Sequence, residues 1–157
     1  VVQSTLYFFN FGEKMTNFKK LILPVIISSV IIIIVTGIDS LGDALRPVIG
    51  DLLTLPVVFF GMLLLPLAPI IYGLLTGDRI GSVIIGVIPV IGLFLDIYLG
   101  LIVSGEFIET ETLAYFGILI ILGGMEGYFA SKKEIEYNIL SICCFLFWMV
   151  IFVRGIN

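Results

Sequence analysis

The stretch LILPVIISSVIIIIVTGI, residues 21–38, carries no charged side chain. A bilayer hydrocarbon core about 30 Å thick is crossed by roughly 20 apolar residues of helix. Residues 21–38 therefore read as a membrane span. Four more apolar stretches, uncharged or nearly so, follow at about 52–76, 80–103, 112–130 and 137–153. Between them lie only short polar links, so the 157 residues hold one helical domain and no large part outside the membrane.

The composition agrees with this reading. Hydrophobic residues make up 60% of the chain and charged residues 13%, whereas soluble domains are roughly half apolar and a quarter charged. Twelve acids stand against eight bases, for a net charge of −4, and neither sign is massed. No nucleic-acid footprint results. The chain has no histidine, which removes the commonest general base and the commonest metal ligand. Cys143 and Cys144 are adjacent inside an apolar run. Helical neighbours project in different directions, so the pair suits neither a disulfide nor a redox motif.

Residues 1–14 are mixed polar and aromatic, and they precede Met15-Thr-Asn-Phe-Lys-Lys, which reads as a natural start. They are read as an upstream leader, with 15–157 as the single transmembrane domain. Lys19 and Lys20 ahead of the first span resemble the basic region of a signal peptide, but no good cleavage site follows, so an uncleaved anchor is expected. With the N-terminus inside, the inner segments carry Lys14, Lys19, Lys20, Arg79, Lys132 and Lys133, and the outer ones Arg46 and Arg154. The positive-inside rule then gives five spans with the N-terminus inside and the C-terminus outside.

Between the first two spans the pattern changes. Leu41, Ala44, Leu45, Val48, Ile49 and Leu52 fall on one helical face, away from Asp39, Asp43 and Arg46. A short amphipathic helix at about 39–51, lying in the membrane interface, is expected. In the second span Pro66 and Pro69 are central, and Pro89 lies inside the third. A proline removes a backbone donor and crowds the preceding turn, and lipid cannot satisfy the freed carbonyl. These three residues are candidate helix breaks.

Two ionisable residues fall within spans. Asp96 lies seven residues before Val103, and Glu126 four before Ala130. Charged groups at such depth usually face a bundle interior or a water-filled cavity, so both are candidates for an ion or proton pathway. The competing expectation pairs Asp96 with Arg154 or Arg46 near the outer surface, and Glu126 with Arg79 or Lys132 near the inner one. Asp39, Asp43 and Asp51 with Glu106, Glu109 and Glu111 form an acidic outer rim without the spacing of a calcium loop. Gly123-x-x-x-Gly127, and more weakly Ser82-x-x-x-Gly86, have the spacing that lets membrane helices pack closely, within the bundle or between copies.

The reading is an all-α polytopic membrane protein of five transmembrane helices plus the interfacial helix. It has the lipid bilayer as its surroundings, the plasma membrane as its expected location, and no cofactor, metal or catalytic site. A channel- or transporter-like role follows from the central prolines, Asp96 and the acidic rim. The alternative is a non-catalytic subunit or assembly factor of a larger membrane complex, and a homo-oligomer is compatible with either. A lipid-modifying enzyme would instead need an ion or phosphate among Asp39, Asp43, Asp51 and Arg46.

Overall fold

A computed structural model describes residues 2–155, with side chains described for residues 21–155 apart from 49 and 51–53. The chain forms α1 (Val2–Ile49), α2 (Asp51–Met62), α3 (Leu64–Thr76), α4 (Arg79–Ser104), α5 (Thr110–Ala130) and α6 (Ile135–Gly155). Among the described residues there is no strand. Five segments are long and apolar enough to cross a membrane: Leu21–Val48, Thr54–Thr76, Arg79–Ser104, Thr110–Ala130 and Ile135–Gly155. The second of these is α2 and α3 taken together.

Local chemistry sets the turns. Gly50 and Gly77 adopt φ of 74° and 69°, which a side chain would disfavour, and they reverse the chain after α1 and α3. Asp78 caps α4 by accepting a hydrogen bond from the Gly81 amide at 3.2 Å, supplying a partner for one of the otherwise orphaned first-turn donors. The turns at 77–78 and 131–134 share one end of the bundle, where the Lys133 ammonium donates to the Leu75 carbonyl at 3.4 Å. Gly50, the 105–109 loop and the end of α6 share the other.

The sequence predicts a separate interfacial helix at 39–51. Instead, residues 39–49 continue α1 without a break. The reason is packing: a side chain at Gly42 would meet Val58 of α2, and one at Gly61 would meet Ile38. The bare backbone of each helix seats a branched side chain of the other, so the end of α1 forms an antiparallel hairpin with α2. Leu41 and Val48 of the apolar face point outward and are 60% and 78% exposed.

The proline effect appears at Leu63, where α2 ends and α3 begins. Pro66 has no N–H for the Met62 carbonyl and crowds it, so the helix is interrupted one residue past Met62. Leu63 itself keeps helical angles, φ −61° and ψ −20°, and the result is a kinked span rather than a re-entrant loop. Pro69 and Pro89 lie within α3 and α4, whose helices continue through them.

The centre of the bundle is the seam between α4 and α5. Gly86 lies against the backbone of Gly123, and Gly127 against the Ser82 carbonyl, so a Cβ at either glycine would collide with main chain. α3 joins this seam, with Gly73 close to the Gly127 carbonyl. Such close approach gives helices van der Waals contact that lipid cannot compete with. Around the seam Ile31, Val35, Leu65, Ile85, Leu119 and Trp148 form a continuous buried cluster. Large side chains such as Ile33, Phe60, Leu75 and Phe147 point outward and are at least 65% exposed, an apolar outer surface of the kind lipid solvates.

Candidate functional site

Beyond the Leu63 kink, α2 stays on α1 and, among the described residues, does not reach α4, α5 or α6. The gap it leaves is a cavity of about 1080 Å³ opening at the Gly50 end of the bundle. The space lies between α2 and the main bundle, and α2 ends at Met62, in the turn before Pro66.

The cavity has two chemical zones. At its mouth are Asp39 and Arg46 of α1, Asp96 of α4, and Glu109 and Glu111 at the start of α5. Among the described residues that is four acids against one base. The walls are apolar and rich in rings, including Phe59, Phe60, Tyr115, Phe116, Trp148 and Phe152. Trp148 stacks on Phe152 with ring centres 5.0 Å apart, and the Tyr115 hydroxyl donates to the Phe152 carbonyl at 3.4 Å. The inner walls include Leu65, Val90, Leu119 and Trp148, none more than 2% exposed.

Asp96 is exposed and lines this cavity, and it makes no ion pair among the described residues. The expected partnership with Arg46 or Arg154 does not form; Arg46 lies 3.6 Å from Asp43, one helical turn away. Glu126 departs further from expectation. It is 0% exposed, and neither carboxyl oxygen has a hydrogen-bond partner. The predicted pairing with Arg79 or Lys132 fails because Glu126 faces the wrong way for it. It lies on the buried stripe Leu119, Gly123, Glu126, Ala130, whereas Lys132 follows the helix end, with its ammonium 3.8 Å from the Tyr137 ring centre. Tyr137 and Tyr128 beside Lys132 hold its ammonium above the usual lysine pKa.

Most other buried polar side chains are satisfied, although the Asn138 Oδ1 also lacks a partner. Ser28, Thr54, Ser82, Ser131 and Ser141 each donate a hydroxyl hydrogen to a backbone carbonyl. Ser141 donates to the carbonyl of Glu126 itself at 2.9 Å, which sets α6 level with Glu126. Ser141, Cys144 and Trp148 form one buried face of α6, so Trp148 lies about 10 Å from Ser141 along the helix axis. The Trp148 indole nitrogen is also buried without a partner. Side chains on helices lean toward their own N-terminus. Because α5 and α6 are antiparallel, Glu126 and Trp148 lean toward each other along the shared seam, with Trp148 on the cavity side.

The structure therefore brings Asp96 and Trp148 to one cavity, and Glu126 is not among the residues that line it. It brings Gly86 to Gly123 and Ser82 to Gly127. It does not bring Asp96 and Glu126 together as a pair. Sequence reasoning missed the aromatic walls; the depth of Trp148 in its span pointed to packing between helices, where it lies, but not to a cavity, although the Ser141, Cys144, Trp148 spacing on one helical face was a usable signal. Among the described residues no three of Asp, Glu and Cys converge closely enough to hold a metal ion. The Ser28 and Ser29 hydroxyls both bond to backbone carbonyls. Asp51, one of the acids a lipid-modifying site would need, lies outside the residues whose side chains are described.

Comparison with known proteins gives no matching family model, no matching curated protein and no matching solved structure. The functional reading therefore rests on the site's own chemistry.

Proposed function

We propose that the protein is a small membrane transport protein: a solute enters the cavity between α2 and the α4–α6 bundle, and Glu126 is the ionisable group behind it. The observation that carries this reading is the cavity itself, which runs from an acidic mouth to walls otherwise buried in the bundle. Ligand sites are typically concave, mostly apolar, and fitted with a few polar groups. With the N-terminus inside, as the lysine and arginine distribution favours, the mouth opens outside the cell. Its acids then concentrate cations by electrostatic focusing.

Glu126 supports the same reading from the interior. A buried ionised carboxylate without partners is costly, and ionisable groups inside membranes usually mark ion or proton pathways. Nothing in the packing requires a carboxyl here, since neither oxygen holds a neighbour. In a transport cycle Glu126 exchanges a proton, or meets a cation, when the α5–α6 seam opens past Trp148.

The test is flux of protons and monovalent cations into proteoliposomes, with wild type beside Glu126→Gln and Asp96→Asn. Glu126→Gln is expected to reduce flux at least tenfold, and Asp96→Asn to reduce it more mildly. No flux from folded wild-type protein would remove the transport reading and leave the complex-subunit role as the better account.

A further inference from the structure

The cavity's two zones specify what enters it. We propose that the site takes an amphipathic organic monocation, one positive centre on a body of aromatic or aliphatic groups; this deepens the transport reading and names its substrate class. Four features support it. Asp39, Asp96, Glu109 and Glu111 outnumber Arg46 at the mouth, so a positive charge is favoured there. The carboxylates do not converge into a metal-ligating group among the described residues, so a bare divalent cation would lack the six to eight oxygen ligands it requires. A large organic cation needs no such shell, because its charge is spread and weakly hydrated.

The walls supply what such a body seeks. Aromatic faces attract cations through their quadrupole, most strongly in tryptophan and more strongly where water is excluded. Trp148 lines the cavity and stacks on Phe152, and Phe59, Phe60 and Tyr115 line it as well. The volume of about 1080 Å³ lies at the upper end for small-molecule sites. It is far more than a dehydrated inorganic ion would need. The gap between α2 and the bundle also gives an amphiphile a route in from the lipid.

The experiment uses the full chain in nanodiscs and measures equilibrium binding of tetraphenylphosphonium, with tetraphenylborate as a probe of nearly the same shape and opposite charge. Saturable binding of the cation alone is expected. Asp96→Asn and Glu111→Gln, both at exposed positions, should each weaken it about fivefold, the effect of one carboxylate at partly screened distance. Trp148→Ala should weaken it at least tenfold. Trp148→Phe, which keeps a ring and guards against misfolding, should weaken it less. Equal binding of both ions, as for a groove that merely holds lipid chains, would overturn the proposal. So would absence of saturable cation binding by folded protein.

Flux in proteoliposomes separates this proposal from the reading beneath it. Proton or sodium flux that depends on Glu126 but comes without tetraphenylphosphonium binding would remove the substrate class and leave transport standing. Charge-selective binding without flux of the bound cation would keep the site and remove transport.

Discussion

Glu126 is the residue at which the folding cost and the proposed role pull in different directions. Every other buried polar side chain discussed above, apart from the Trp148 indole and Asn138, is tied to a carbonyl, but the Glu126 carboxyl is tied to nothing. Replacing an unsatisfied buried polar group by an apolar one of similar shape is neutral or stabilising, because its desolvation penalty of about 1–3 kcal/mol disappears. Glu126→Leu should therefore raise the midpoint of thermal unfolding in detergent while abolishing flux. A variant less stable than wild type would mean that Glu126 is structural and that its partner forms only in the membrane. This residue was only half legible in the sequence. Its depth could be counted from Ala130, and depth alone led to an interfacial salt bridge. Its face was also readable, because Glu126 lies three residues after Gly123 and seven after Leu119 on the packed stripe. Weighing face before depth would have placed it inside. Asp96 shows the converse: proximity to Arg46 and Arg154 in the chain's topology was legible, but the divergence of α2 that opens a cavity beside Asp96 was not.

At the scale of elements the spans were legible, because absence of charge over some twenty residues has few other meanings. The exception is the end of α1. Asp39, Asp43 and Arg46 suggested that the first span stopped at Ile38, but glycines on α1 and α2 extend the helix pair to Ile49. The interruption was legible as chemistry, since a proline acts on the turn before it and the break at Leu63 lies in the turn before Pro66. Restoring the donor with Pro66→Ala should straighten α2 onto α3. A proline kink usually exceeds about 20°, which over the 12 residues of α2 moves its far end by about 6 Å. Spin labels at Val57 and Ile97, both exposed, should report about half that shift, about 3 Å, because Val57 lies midway along α2. An unchanged distance would mean that the Gly42 and Gly61 contacts, rather than the proline, hold α2 aside. The α4–α5 seam makes its own prediction. Gly86→Ala places a methyl group against the Gly123 backbone and should cost about 1–3 kcal/mol, as overpacking does. Gly117→Ala meets nothing within 4 Å and should be neutral, or stabilising by up to about 1 kcal/mol from helix propensity. Unfolding of both variants in mixed detergent compares them directly; equal effects would show that the seam is softer than its geometry.

For the whole molecule, what remains is which way the bundle faces. The helices group their own ends: the turns at 77–78 and 131–134 meet through Lys133 and Leu75, and the cavity mouth joins Arg46, Glu109 and Gly155 at the opposite end. Only the charge asymmetry orients this pair of ends across a membrane. Arg79, Lys132 and Lys133 mark one end, and basic residues are retained on the cytoplasmic side. In cells expressing a Cys143→Ala, Cys144→Ala background, a cysteine at Glu106 should react with a membrane-impermeant maleimide. One at Lys133 should react only after permeabilisation. Both positions are exposed, so lack of access would come from the membrane and not from burial. The reverse labelling would turn the acidic mouth toward the cytoplasm. The cavity would then draw cations from inside the cell, and a protein that captures external solutes would become one that expels internal ones, with the same residues lining the path.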